Sequence, residues 1–202
     1  MRYISQIASD ASVLEIGCGA GLDLLLAQSF KLTAIDVSFR SVRAARSYYG
    51  ERARICQMDA HRTAFRSESF DVVLGRSVLH HLEYDCALLE VRRILKNGGL
   101  AMFVEPLFDN PMSKIWRALT PRARTIDELP LSKNQIIRGN ALFAAHDHRF
   151  INLVSTPVAM LTSLTLKRAN NLWLRIAHQA DLVLERGSAR YWMRTGYLVW
   201  KK

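Results

Sequence analysis

The chain has only three cysteines, five prolines and ten glycines in 202 residues. Cys18, Cys56 and Cys86 are too few and too widely spaced for a disulfide framework or a C-x-x-C metal site. A reducing compartment is the simplest setting for them. So little glycine and proline excludes collagen-like and low-complexity chains. No apolar run approaches the ~18 residues that a spanning helix needs. The opening MRYISQIASD has one arginine with no apolar stretch behind it, so it does not read as a secretory signal. No internal repeat is present. Together these absences describe a soluble, cytoplasmic protein. What is there suits a globular chain: 50% of residues are hydrophobic and 23% charged, enough apolar surface to bury a core. The length is about 1.3 times a typical domain, which fits one domain over 1–202 with an elaboration.

Charge is unevenly spread. Residues 1–105 carry 13 basic and 12 acidic residues, whereas 106–202 carry 15 basic and 6 acidic, so the back half holds nearly all of the net +10. A positive surface of this kind suits an anionic substrate, an anionic membrane surface or a nucleic acid. It equally suits arginines decorating solvated helix faces, since no dense Lys/Arg block is present.

The front half alternates strand and helix signals, the pattern of a parallel sheet with helices on its faces. Strands are expected at 12–16, 31–36, 54–58, 70–75 and 100–104. Helices are expected at 22–28, at 38–49 with Ser38 as N-cap and Gly50 past its end, and at 84–95, stopped by Lys96-Asn97-Gly98-Gly99. Prolines 106, 111, 121 and 130 then break the pattern. Residues 106–131 read as an insertion or lid with a short helix over 112–119. Ser132-x-x-Gln135 is a capping box that opens a helix to about residue 145. A sixth strand over 148–153, a mostly helical stretch over 157–185 and a closing strand over 191–200 complete the reading.

The strongest local feature is Val13-Leu14-Glu15-Ile16-Gly17-Cys18-Gly19-Ala20-Gly21, a strand running into three alternate glycines and then a helix. Glycine lets the chain turn sharply and lets a ligand approach. The N–H groups at the start of the next helix favour polar or anionic ligand atoms. Asp36, at the end of the second strand, is placed to accept hydrogen bonds from a ribose diol. Its alternative role, capping the next helix, is already filled by Ser38. A dinucleotide fingerprint would need glycine at position 22, where leucine stands.

The loop with its upstream acid resembles motif I of the class I methyltransferases that use S-adenosylmethionine, E/D-x-G-x-G-x-G, and the resemblance is to the small-molecule, type 11-like branch. It continues through Ala34-Ile35-Asp36-Val37-Ser38, Gln57-Met58-Asp59-Ala60, Ser69-Phe70-Asp71-Val72-Val73, Ser77-Val78-Leu79-His80-His81-Leu82 and Val91–Leu100. The fold it implies is α/β: a Rossmann-like, seven-stranded, mostly parallel sheet with helices on both faces and an antiparallel last strand. Residues 1–105 would form the cofactor-binding half, and 106–202 the lid and substrate-side half. The cofactor would be S-adenosylmethionine. By position, Gly17 and Gly19 would face its methionine part, with Gly21 opening the helix and Cys18 a small packed residue of the same loop. Glu15 would fix the loop or meet the cofactor amine. Asp36 would bind the ribose, Val37 would pack on the adenine, and Asp59 and Ala60 would meet the adenine edge. Gly75 and Arg76 would lie near the methionine carboxylate, where Arg76 can pair with it.

Methyl transfer from a sulfonium is an in-line displacement that depends chiefly on positioning. A base helps only where the nucleophile is a weakly acidic hydroxyl or a protonated amine. His81 is the chosen candidate, against an equal reading as a locally packed residue, and Glu105 stands at the ligand-binding end of the fifth strand. His146 and His148 lack a third ligand cluster, so no metal is expected. Trp116, Phe108, Phe143 and Trp173 can wall an acceptor pocket or simply pack in the core. The apolar stretch 158–166, followed by Lys167-Arg168, can face a membrane or cover the sheet.

The first reading of function is methylation of a small-molecule acceptor, lipophilic or anionic, on oxygen or carbon. A nucleic-acid methyltransferase is the second, disfavoured because Gly75-Arg76-Ser77-Val78 stands where base-amine methylases commonly carry Asn/Asp-Pro-Pro-aromatic. A non-catalytic cofactor-binding module is the third. The sequence leaves the oligomeric state open.

Overall fold

Short runs of aliphatic and β-branched residues set the centre of the molecule, and their alternation decides which side chain faces which layer. The protein's structure, a computed structural model, describes residues 7–19, 30–110, 130–166 and 171–202. The expected helix 22–28, the expected short helix 112–119, and Gly21, Trp116 and Lys167-Arg168 lie outside the described residues.

In chain order the elements are β1 (Ser12–Ile16), β2 (Lys31–Asp36), α1 (Phe39–Tyr49), β3 (Ala53–Gln57), β4 (Phe70–Arg76), α2 (Tyr84–Ile94) and β5 (Leu95–Pro106). Then follow α3 (Lys133–Leu142), β6 (Ala145–His146), β7 (Arg149–Ile151), α4 (Ser155–Thr165), α5 (Leu172–Leu184) and β8 (Thr195–Lys201). The strands form one sheet in the order β3-β2-β1-β4-β5-β8-β6, with β7 also on β8. The first five strands are mutually parallel, and β8 runs antiparallel to β5. Strand order reverses between β1 and β4, so the crevice beyond their carboxyl ends is the switch point at which open α/β sheets bind ligands.

Successive residues of β1 serve opposite layers. Leu14 and Ile16 join a core with Val73, Phe103, Leu198 and the α2 stripe Leu88, Val91 and Ile94. Val13 joins the other layer, with Ala34, Val72 and the α1 stripe Val42, Ala45 and Tyr49. The α1 residues are spaced i, i+3, i+7, the apolar stripe of a helix lying on a sheet. Ser38 caps α1 through Oγ, which accepts from Ser41 N at 3.3 Å. Ser132 and Gln135 form the expected capping box at α3.

The sheet has eight strands among the described residues where seven were expected, because the sixth is split. β6 and β7 lie along one edge of β8 in continuous register, Ala145 opposite Lys201 and Arg149 opposite Tyr197. Between them the His148 ring, in place of a backbone carbonyl, accepts Val199 N–H on Nδ1 at 3.2 Å. That leaves Nε2–H to donate to Asn140 Oδ1 at 2.6 Å, where Trp200 Nε1 also donates at 2.9 Å. Burial holds the His148 ring neutral, its pKa driven down to about 4. The closing strand starts at Thr195 rather than 191, because Ser188–Trp192 is a 3-10 turn.

Trp200 is fully buried and stacks on Phe143 with ring centroids 5.9 Å apart. A Cβ on Gly139 would stand 2.9 Å from its ring, so α3 carries glycine there to lie this close to β8. Trp200→Ala is expected to lower unfolding stability by about 3–5 kcal/mol, read as a fall in the urea midpoint at unchanged slope. A loss below about 1 kcal/mol would mean that this edge of the sheet is not part of the cooperative core.

Candidate functional site

Strands β1 and β2 end side by side at the switch point. Beyond Ile16 the chain turns through Gly17 (φ +68°) and Gly19 (φ +48°), a left-handed path that glycine takes without strain. Gly17 N and Cys18 N both donate to Ile35 O, at 2.8 and 3.2 Å. Gly19 N donates to Asp36 Oδ2 at 3.0 Å, while Asp36 Oδ1 accepts Ser38 N at 2.8 Å. The Asp36 carboxylate is thus clamped between the turn after β1 and the start of α1. Each oxygen holds one backbone donor and retains acceptor capacity for another. The first three amides of the glycine turn point back at β2, so in its described part the turn does not offer them to an anion. The N–H groups expected to face a ligand, those at the start of the next helix, lie outside the described residues.

The opposite wall follows β4. Glu105, at the end of β5, is completely buried. Its Oε1 accepts Val78 N and Leu79 N at 2.8 and 2.9 Å, and its Oε2 meets His80 Nδ1 at 2.7 Å. The carboxylate offered as a possible base is therefore engaged in shaping the loop 77–81. That loop passes through Ser77 at φ +51°, a non-glycine residue in the left-handed region. Strain of this kind costs about 1–3 kcal/mol and persists only where its surroundings hold it. Val78 lies across two glycines: a Cβ at Gly17 would stand 2.5 Å from it, and one at Gly75 2.6 Å. At both positions glycine is required by this side chain.

The far lip is built on Asp59. Its Oδ1 accepts His61 N at 2.9 Å and meets His61 Nδ1 at 2.6 Å. Glu83 N–H donates into His61 Nε2 at 2.8 Å, so the ring hydrogen sits on Nδ1, toward Asp59. The His61 backbone N–H, then its ring, hold the Asp59 carboxyl below the usual carboxylate range.

These walls enclose a cleft of about 410 Å³, within the range of small-ligand pockets. Six of the sequence candidates meet in it: Gly17, Asp36, Val37, Asp59, Ala60 and His81. Val37 is 71% exposed, an apolar platform whose carbonyl is held by Gln57 Nε2 at 3.0 Å. The His81 ring lies against that of His80, tilted by 38° with centroids 4.1 Å apart, so Glu105 orients it at one remove.

The other candidates lie differently. Gly19 borders the Asp36 clamp, and a Cβ on it would meet nothing within 4 Å among the described residues. Gly75 is paved over by Val78 and Phe103 and does not reach the cleft. Arg76, the last residue of β4, is exposed and is not among the cleft walls. The Cys18 side chain is buried in the α1 layer, its thiol pushed up to about 12 by burial and then by the charges of Asp36 and Glu15. Glu15, one residue from Ile16, points to the same layer. Tyr49 OH donates to its Oε2 at 3.2 Å, while Oε1 has no partner among the described residues. Sequence reasoning missed Ser77, Val78 and His61, whose roles arise from contacts between loops far apart in the chain.

Residues 14–103 match the family model described as a methyltransferase domain, a span running from β1 into β5. Over that span the chain is similar to the class I, S-adenosylmethionine-dependent methyltransferases. An uncharacterised protein of Methanocaldococcus jannaschii is 39% identical to this chain over 95 residues, 47% of this chain and 40% of that protein. A ubiquinone biosynthesis O-methyltransferase of Nitrosomonas europaea is 26% identical over 128 residues, 57% of this chain and 53% of the relative. The chain thus matches about half the length, or less, of these curated relatives. A crystal structure of an S-adenosylmethionine-dependent methyltransferase from Archaeoglobus fulgidus superposes with a TM-score of 0.68 over 100% of this chain and 90% of that one, at 16% identity. At that identity the likeness is one of fold.

Burial pushes the Glu15 carboxyl up to about 7, against the lowering effect of Tyr49. The native state therefore keeps a proton that the unfolded chain releases near 4.5, so stability falls as pH rises from 4.5 to 7 and stays reduced above. Glu15→Gln removes this penalty and retains an acceptor for Tyr49. The variant is expected to exceed the wild type by about 2–3 kcal/mol at pH 8 and by little at pH 4 in urea unfolding. An equal difference at both pH values would contradict the buried carboxyl.

Proposed function

We propose that the protein transfers the methyl group of S-adenosylmethionine to a small-molecule acceptor, on oxygen or carbon. The observation that carries this reading is the clamped Asp36 carboxylate at the tip of β2, facing a nucleoside-sized cleft beside a glycine turn. The residues present fit that cofactor. Asp36 has capacity for a diol, and among the described residues a Cβ on Gly19 would meet nothing within 4 Å. A phosphate-bearing dinucleotide fits less well, since the amides of residues 17–19 are already engaged.

In this reading Asp36 takes the ribose hydroxyls and Val37 supports the adenine. Asp59 accepts the exocyclic amine on the edge left by His61, with Ala60 beside it. Gly17 and Gly19 lie along the methionine part, and Arg76 would have to reach over Ser77 to pair with its carboxylate. The cofactor supplies an electrophilic methyl on a cationic sulfur. The protein's task is then to hold the nucleophile close and in line and to exclude water. His81, on the opposite wall, takes the acceptor proton where the acceptor is a hydroxyl. The O-methyltransferase named among the relatives favours oxygen over nitrogen as the acceptor atom.

Calorimetry with S-adenosylmethionine on the wild type, Asp36→Asn and Asp36→Ala tests the reading. Loss of a charged acceptor is expected to weaken binding by about 2 kcal/mol, close to thirty-fold, in Asp36→Ala. Asp36→Asn, which keeps one acceptor oxygen for the turn, is expected to lie between. Unchanged affinity in a folded Asp36→Ala protein would contradict the assignment.

A further inference from the structure

We propose that α4 and α5 form a docking face for an anionic lipid membrane, independently of which acceptor the cleft takes. α4 reads Ser-Thr-Pro-Val-Ala-Met-Leu-Thr-Ser-Leu-Thr and carries no charged side chain. Its Leu161 and Leu164 are exposed, Leu164 by 80%. On α5, Leu172, Ile176 and Val183 are exposed at i, i+4 and i+11, one stripe along the helix, with Trp173 beside it. Eight of the fifteen large exposed hydrophobics among the described residues fall between 160 and 183. Scattered apolar residues are ordinary on a surface, but a concentration of this size marks an interaction site.

The two helices are held as a unit. Asp181 on α5 is buried, its Oδ1 accepting Leu153 N and Val154 N and its Oδ2 accepting Ser155 N, at 2.7–3.2 Å. It thus caps α4 from the neighbouring helix. Ala177 and Asp181 take the inward side of α5, leaving Leu172, Trp173, Ile176 and Val183 outward.

Charge selects the occupant. The two acidic groups of 155–186 are engaged: Asp181 in this cap, and Glu185 with Phe150 N at 2.8 Å and Arg149 Nε at 2.9 Å. A crevice of about 680 Å³ opens between the helices, bordered by Met160 and walled by Arg175, His178 and Arg194. Apolar side chains beside a crevice that carries Arg175 and Arg194 match acyl chains below a layer of anionic headgroups, with the crevice open to a headgroup phosphate. Helices of 11 and 13 residues suit lying in that interface. A second copy of the chain fits less well, because a two-fold contact would set the basic half, 15 basic against 6 acidic residues, against itself.

Flotation of the full chain with vesicles tests this, using phosphatidylcholine alone and equal parts of phosphatidylcholine and phosphatidylglycerol. The wild type is expected to float with the anionic vesicles and weakly with the neutral ones. Leu164→Glu/Trp173→Glu, with unchanged circular dichroism, is expected to lose about ten-fold in partitioning, and Arg175→Glu to lose the preference for anionic lipid. Three results would overturn the proposal. These are no flotation with anionic vesicles, a double variant that floats like the wild type, or a wild-type dimer that the double variant converts to monomer.

Discussion

The Asp36 carboxylate is the constraint on which the site depends. One oxygen holds Gly19 N–H and the other holds Ser38 N–H, so a single side chain fixes both the turn leaving β1 and the entry to α1. Ile35 O completes the arrangement by taking the two preceding amides. The turn is thereby folded onto β2, and its glycines are the residues that can follow that left-handed path. The same geometry also decides chemistry. It engages the amides of Gly17, Cys18 and Gly19 and leaves a carboxylate on the edge of the cleft, which in the proposed reading receives sugar hydroxyls.

A second carboxylate acts in parallel across the cleft. Glu105 takes two backbone amides and the His80 ring while wholly buried. A buried charge is tolerable when its acceptor sites are filled by oriented donors. What it holds is the loop that carries strained Ser77, Val78 across the two glycines, and His81 into the cleft. Glu15, the third carboxylate near the switch point, has one hydroxyl partner among the described residues instead, and burial pushes it up to about 7. Three acids within one crevice region thus differ because their donor sets differ: two backbone clamps of opposite loops, and one carboxyl beneath the turn.

The parallel half of the sheet was legible from sequence because its strands are short apolar runs that end in glycine or acid, and the family motifs fall at those ends. Asp36, Val37, Asp59 and Ala60 could be named for the same reason, since each is local to a strand end. What was not legible depends on contacts between distant segments. The demand for glycine at 75 comes from Val78 and Phe103, not from a ligand. Glu105 reads as a base at a strand end, but its oxygens are filled by residues 25–27 positions away. The split of the sixth strand arises because a histidine ring replaces a carbonyl, and no hydrophobic period records that. Arg76 lies next to the site in sequence yet outside its walls, since a strand's last residue follows the pleat rather than the motif.

Crystals grown with S-adenosylhomocysteine test the central claim most directly. The account predicts both ribose hydroxyls within hydrogen-bonding distance of the Asp36 oxygens, the adenine over Val37, and the amides of Gly17, Cys18 and Gly19 still bonded to β2. A ligand seated elsewhere, or a turn that releases Asp36 to offer those amides to it, would contradict the account.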